Sequence, residues 1–362
     1  MRAEVRAEAA RLRGLFEAAG AAVVETGILQ PAATLLDLYG EDMRARAYVT
    51  SDPLKGEQML RPDFTVPVVE MHMAEGAEPA RYTYAGEVFR RQEEDAARAS
   101  EYMQVGYEVF ERGAAAACDA EVFALIHDIL APLGLRAATG DIGILRAAVE
   151  GLSTSDARKA ALRRHLWRPR RFRQLIERFA GRMAVPASRV ALLAADNPMA
   201  DAGPMIGLRG EAEIAARIEV LCADAATPPL AAGEVALLDA ILAVRETAPN
   251  ALARFHDIAV DMPAIADAVA GVEARLEAMA ARGIDVDTLP FEASYGRTQM
   301  EYYDGFVFGF TCEARPDLPP IATGGRYDAL TRQLGRGREI PAVGGVIRPG
   351  LVCALRGQGG EA

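Results

Sequence analysis

The period of apolar and polar positions changes several times along this chain, and each change marks an element. Over residues 2–19, Val5, Ala9, Leu12 and Phe16 recur at helical spacing among Ala, Arg and Glu, which predicts an amphipathic helix closed by Gly20. The next residues, AAVVET, predict a short strand. Residues 82–89 and 102–110 are rich in aromatic and β-branched side chains and flank a polar, charged connection at 90–101. Such a pattern predicts two antiparallel strands joined by a long loop. Residues 117–131 predict an amphipathic helix closed by Pro132 and Gly134, and 137–144 a strand. From about 150 to 280 the chain turns to Ala-rich helices broken at Pro186, Pro198, Pro204 and Pro228. Strand signals return at 291, where Phe306, Phe308 and Phe310 alternate at period two. The reading is an α+β protein: a domain formed by 1–149 and 281–362, an antiparallel sheet flanked by helices, interrupted by a mainly helical insertion at 150–280.

Composition narrows the class. The chain has 362 residues, 51% hydrophobic and 25% charged, as expected of a soluble globular protein with room for two or three domains. Charges throughout the first 20 residues argue against a signal peptide, and no apolar run reaches the length of a membrane span. Cys118, Cys222, Cys312 and Cys353 form no CxxC pair, and His72, His127, His165 and His256 are scattered. A reduced, cytoplasmic protein without a metal site is the simplest reading. No phosphate-loop, dinucleotide or zinc-protease motif is present, so no cofactor is predicted. The net charge of −11 argues against a general nucleic-acid binder. Residues 158–178, with nine Lys or Arg against one Glu, are a local exception. A phosphate-neutralising surface, a contact with an acidic partner subunit and a solvated helix face all fit that stretch.

Candidate chemistry gathers on the predicted strand pair. Gln104, Gly106 and Glu108 share one parity, and Arg90 sits where the first strand enters the loop. An arginine, an amide and a carboxylate converging there suit a small zwitterion or a phosphate, with solvated surface charge as the alternative. Upstream, Asp63 and Thr65 stand two residues apart. In an extended segment they face the same way and can hold an ammonium group; as capping residues they would instead start a helix through Val69 and Met73.

These segments carry a resemblance. GEVFRRQ…YMQVGYEVFE is similar to motif 2 of the class II aminoacyl-tRNA synthetases in its histidyl form, and LRPDFT to the LRPEGT element, with Asp for Glu and Phe for Gly. EYYDGFVF and ATGGRYD resemble further histidine-recognition elements. The N-terminal helix and strand resemble the dimer-forming motif 1, with Gly27 where a proline is expected and Pro31 later. The matches keep the family's order from about residue 20 to 350. The resemblance implies a class II synthetase-like fold, a self-dimer and a histidine-like pocket of Asp63, Thr65, Arg90, Gln104, Glu108, Tyr303 and Tyr327. In it Asp63 and Thr65 receive the α-amino group, Tyr303 and Tyr327 bracket the imidazole, and Glu108 fixes its protonation state.

The departures fall on the catalytic chemistry. PAVGGVIRPGLVCAL aligns with motif 3, but Gly350 and Leu351 stand where an adenine-stacking arginine is expected; Arg348 comes three positions early and is expected on another helical face. In motif 2, Gln92 and Ser100 replace an acidic and a basic residue. Thr298 occupies the place of a catalytic arginine, with Arg297 one residue away. The chain also stops soon after motif 3, where a synthetase continues into an anticodon-reading domain. A kept amino-acid pocket beside a dismantled ATP site is similar to the ATP phosphoribosyltransferase regulatory subunits, synthetase paralogues that act at the first step of histidine biosynthesis. That resemblance implies no catalytic residues, a hetero-oligomer with a short-form catalytic subunit, and feedback by L-histidine. A divergent histidine-activating or aminoacylating enzyme, and an RNA-binding paralogue acting through 158–178, are the alternatives.

Overall fold

The computed structural model describes residues 2–32, 47–92, 99–200, 203–204, 206–297 and 302–358. Helix α1 (Arg2–Ala18) buries Ala9, Leu12 and Phe16 of the predicted stripe. It leads into β1 (Ala22–Val23), which is shorter than the AAVVET signal because its ladder stops at the bond from Val24 N to Thr83 O. Strands β2 (Leu29–Pro31), β3 (Val49–Asp52) and β4 (Gly56–Leu60) form a small antiparallel sheet in the order β2-β4-β3. Helix α2 (Thr65–Glu75) precedes β5 (Ala80–Phe89) and β6 (Glu101–Phe110), the expected antiparallel pair, in register from Ala80 opposite Phe110 to Phe89 opposite Glu101.

Helix α3 (Ala115–Leu130), strand β7 (Arg136–Asp141) and helix α4 (Ile142–Glu150) follow. The strand expected over 137–144 therefore ends early. The Asp141 carboxylate accepts the Gly143 N–H at 2.7 Å and caps α4, so the helix begins at Ile142. Next come α5 (Asp156–Arg164), α6 (Pro169–Phe179), α7 (Ala187–Ala194), α8 (Glu211–Ala226), α9 (Ala232–Leu242), β8 (Arg245–Thr247), α10 (Ala248–Asp261) and α11 (Ala266–Ala280). The chain returns through β9 (Pro290–Glu292), β10 (Phe306–Thr311), β11 (Ala322–Arg326), α12 (Asp328–Leu334), β12 (Ala342–Ile347) and α13 (Pro349–Gln358).

Among the described residues the large sheet runs β1-β5-β6-β12-β11-β10-β7-β9-β8. Every pairing from β5 to β7 is antiparallel, and parallel pairs flank that core at β1–β5 and β7–β9. This is the expected α+β architecture. Its two faces divide the labour, because side chains alternate along a strand. On one face Phe306, Phe308 and Phe310 pack on Phe123 of α3 at ring-centroid distances of 6.3, 5.4 and 5.4 Å, and Tyr107 packs on Phe16 of α1 at 5.3 Å. Burying each such ring stabilises the fold by about 1.5–3 kcal/mol. The other face carries Gln104 and Glu108.

Candidate functional site

Glu108 stands at the centre of that second face, 1% exposed on β6, opposite Gly344 of β12. Its Oε1 accepts hydrogen bonds from the Tyr84 hydroxyl at 2.8 Å and from Thr65 Oγ1 at 3.2 Å; its Oε2 accepts from the Tyr327 hydroxyl at 2.5 Å. Burial pushes this carboxyl up to about 7, the nearby Asp63 charge adds to the rise, and the three hydroxyl donors oppose it. Tyr84 and Tyr327 are pushed well above the ordinary phenol value by burial and by Glu108, so both stay protonated donors.

The close approach of β12 is what gives this carboxylate its place. A Cβ at Gly344 would lie 1.5 Å from Glu108 Oε2. Gly344→Ala is therefore expected to push the carboxylate off Tyr327 and to cost about 1–3 kcal/mol in urea unfolding. An unchanged urea midpoint would mean the strand can yield without strain.

The other expected residues sit in the same neighbourhood. Thr65 is not in an extended segment: it opens α2, with Phe64 at the N-cap and no capping bond from its side chain. Its hydroxyl is turned to Glu108. Asp63 is 3% exposed, with Oδ2 at 3.9 Å from an Arg90 terminal nitrogen, while Arg90 Nε donates to Pro62 O at 2.8 Å. Tyr303 is buried, and its hydroxyl is raised first by that burial and then by the charges of Glu108 and Asp63. Gln104 is 1% exposed on the same strand face as Glu108, and its amide oxygen is buried without a donor. Two buried carboxylates, an unsatisfied amide oxygen and one guanidinium make a cluster rich in acceptors. That chemistry suits a ligand bearing N–H donors and one carboxylate.

Reading the sequence missed Tyr84 and Tyr302. Tyr84 lies opposite Gly106, which the register of the strand pair would have revealed. Tyr302 contacts Tyr303 and Tyr327 edge-on at 4.9 and 6.1 Å. Behind the cluster runs a stack in which the Arg61 guanidinium lies 3.9 Å over Phe64, and Phe64 stacks on Tyr84 at 4.2 Å. A Cβ at Gly86 would meet Arg61 Nη2 at 2.6 Å and Phe64 Cζ at 2.8 Å.

Where the family chemistry departs, other contacts have replaced it. Leu351 is packed against the hydrophobic core from α13. Arg348 is not on a helical face but precedes α13, and its guanidinium donates to Pro320 O. Gln92 Nε2 donates to the carbonyls of Arg90 and Ala99 at 3.3 and 3.1 Å, tying the ends of the β5–β6 loop. Arg297 is engaged elsewhere, donating from Nε to Leu166 O at 2.7 Å with its guanidinium 5.0 Å over the Phe172 ring. Thr298 lies outside the described residues. Among the described residues no group of three or more His, Cys, Asp or Glu could hold a metal ion, and no helix is long and apolar enough to cross a membrane.

The antiparallel sheet with Glu108 and the tyrosines on one face defines a class II aminoacyl-tRNA synthetase-like protein of the histidyl type. The family model described as histidyl-tRNA synthetase matches residues 2–203 and 210–349. A protein of Agrobacterium fabrum named ATP phosphoribosyltransferase regulatory subunit is 34% identical over 94% of this chain and 95% of its own. One of Brucella canis with the same name is 31% identical over 96% of each. The chain belongs to the family of ATP phosphoribosyltransferase regulatory subunits, within the histidyl-tRNA synthetase-like proteins. The same fold is seen in a Bacillus halodurans structure described as an ATP phosphoribosyltransferase regulatory subunit/histidyl-tRNA synthetase, with TM-score 0.66, 19% identity and coverage of 98% of this chain and 79% of that one. It is seen again in a histidine–tRNA ligase subunit of Alicyclobacillus acidocaldarius, with TM-score 0.61, 24% identity and coverage of 99% and 94%.

Proposed function

We propose that this chain is the regulatory partner of a short-form ATP phosphoribosyltransferase catalytic subunit at the first step of histidine biosynthesis, that it works in the cytoplasm without catalysis of its own, and that it senses L-histidine at the Glu108 cluster. The observation that carries the reading is the contrast between the two halves of the site. Glu108 keeps its three hydroxyl donors, whereas Leu351, at the position expected for an adenine-stacking arginine, is packed against the core. An amino acid could be held in the first half, while in the second Leu351 offers no charge to a triphosphate. The names carried by the relatives support the same partner.

A carboxylate offers about four acceptor directions. Three are taken at Glu108, two on Oε1 and one on Oε2, which leaves room for one donor such as an imidazole N–H. Asp63 stands beside it for the α-amino group and Arg90 for the carboxylate. Exposed Ile28, Leu29, Val49 and Leu54 along the three-stranded sheet support a self-dimer within the hetero-oligomer.

Reconstitution tests the proposal. Phosphoribosyltransfer by a short-form catalytic subunit from the same organism is expected to rise when this chain is added, and the mixture to be inhibited by histidine. No change in rate or in histidine sensitivity would refute the regulatory role. Histidine-dependent ATP–pyrophosphate exchange by the chain alone would show it to be an enzyme.

A further inference from the structure

Arg297 is 4% exposed, and its Nη2 is buried without a hydrogen-bond partner. Its Nε is held by Leu166 O, in the turn before α6, and its guanidinium lies over Phe172, in the first turn of that helix. The cation is thus wedged at the N-terminal end of α6. A helix N-terminus is itself positive and is ordinarily answered by an acidic side chain or a capping oxygen. Helix α6 has neither: its N-cap is Arg168 with no side-chain capping bond, and its first turn holds no acidic residue.

Cations stand there instead. Arg170 and Arg171 lie in the first turn and Arg173 follows. Burial, and after it the Arg173 charge, hold the Arg297 guanidinium down to about 10. Beside the turn, His165 is lowered by burial and then by the charges of Arg168, Arg171 and Arg164, and its Nδ1 is buried and unbonded. Arg163 and Arg173 reach Glu150 and Asp239, but among the described residues Arg164 and Arg170 meet no carboxylate. Among the described residues no carboxylate meets this desolvated guanidinium, and the helix end beside it has no side-chain cap.

We propose that this junction binds a phosphate or diphosphate group. Pro169 has no amide hydrogen, and the first-turn N–H groups of Arg170 and Arg171 have no acceptor within the helix. Those amides and Arg297 Nη2 reach the anion from inside, and Arg164 and Arg171 close over it from the surface. A tetrahedral anion offers enough oxygens to take amides and guanidinium together, where a carboxylate offers two. The source is a free or small organic diphosphate; an RNA backbone carries the same group and is separated from it by the test.

Trp167 is the chain's single tryptophan, and its indole Nε1 donates to Tyr303 O at 3.1 Å, so it reports from the edge of this site. The full chain is titrated with pyrophosphate at constant ionic strength, followed by Trp167 fluorescence and by calorimetry. A saturable signal is expected, weakened at least about tenfold in Arg297→Gln and roughly three- to tenfold in Arg171→Gln, as loss of a charge-assisted bond implies. Arg171 is exposed, so its substitution reads the site even where Arg297→Gln does not fold. Arg209→Gln, at an exposed arginine paired with Glu213, should bind as the parent does. A response no larger than that to sodium chloride, or full affinity in Arg171→Gln together with full affinity or no folding in Arg297→Gln, overturns the proposal. Tighter binding of a short RNA duplex, lost in the same variants, would overturn it in favour of nucleic acid.

Discussion

Asp119→Ala is expected to destabilise the chain by about 3–5 kcal/mol, the range for removing one partner from a buried ion-pair network. Asp119 on α3 is 2% exposed. Its Oδ2 accepts from Arg275 of α11 at 3.2 Å, and its Oδ1 accepts from Arg326 Nε and Nη2 at 3.0 and 2.7 Å. Arg275 reaches on to Asp141 at 2.6 Å and Arg326 to Asp328 at 3.0 Å, and both guanidiniums are buried. The alanine would strand two desolvated cations on one remaining carboxylate each. Because Arg326 is followed by Tyr327, the loss should also loosen the bond from Tyr327 to Glu108. Urea unfolding at neutral pH, with histidine titrated in parallel, measures both effects. A variant within about 1 kcal/mol of the parent would place the network among the ion pairs that contribute nothing measurable.

The second large effect belongs to Glu108. Glu108→Ala should abolish histidine binding, and it leaves Tyr84, Tyr327 and Thr65 without their acceptor. Each buried donor left unpaired costs about 1–3 kcal/mol. Glu108→Gln separates charge from shape and exposes a pH dependence whose sign follows from the raised carboxyl. The folded state holds this proton up to about pH 7. The unfolded chain releases it near pH 4.3. The folded chain therefore binds the proton more tightly, and the stability this supplies is complete below the unfolded value and lost as pH rises through about 7. Unfolding profiles from pH 5 to 8 should fall more steeply for the parent than for Glu108→Gln. Superimposable profiles would return Glu108 to an ordinary carboxylate, and unchanged histidine affinity in the alanine variant would remove it from the site.

Local periodicity made the α+β architecture, the strand pair and the shared parity of Gln104 and Glu108 legible, because a strand's alternation is written in its own residues. What escaped depends on partners distant in sequence. Tyr84 joins Glu108 across 24 positions through a register that single-strand periodicity does not encode. Arg297 turns toward Leu166, 131 residues away, and Arg275 toward Asp119, 156 away. The early end of β7 turned on one side chain, Asp141, whose capping of α4 outweighed the apolar run that follows it. For Thr65 the helical alternative is the one observed: the helix begins on the threonine itself, with Phe64 at the N-cap.

The stack of Arg61, Phe64 and Tyr84 constrains the order in which this sequence could have arisen. A side chain at position 86 would intrude on both Arg61 and Phe64. An aromatic ring at 64 is accessible only to an ancestor that already carried glycine at 86. Once the ring is in place, that glycine can no longer drift. Position 86 is then entrenched by a neighbour acquired later, and a reversion at 64 alone would leave a void between the guanidinium and Tyr84. Relatives should therefore vary at 64 on a glycine-86 background, and never pair a side chain at 86 with an aromatic ring at 64.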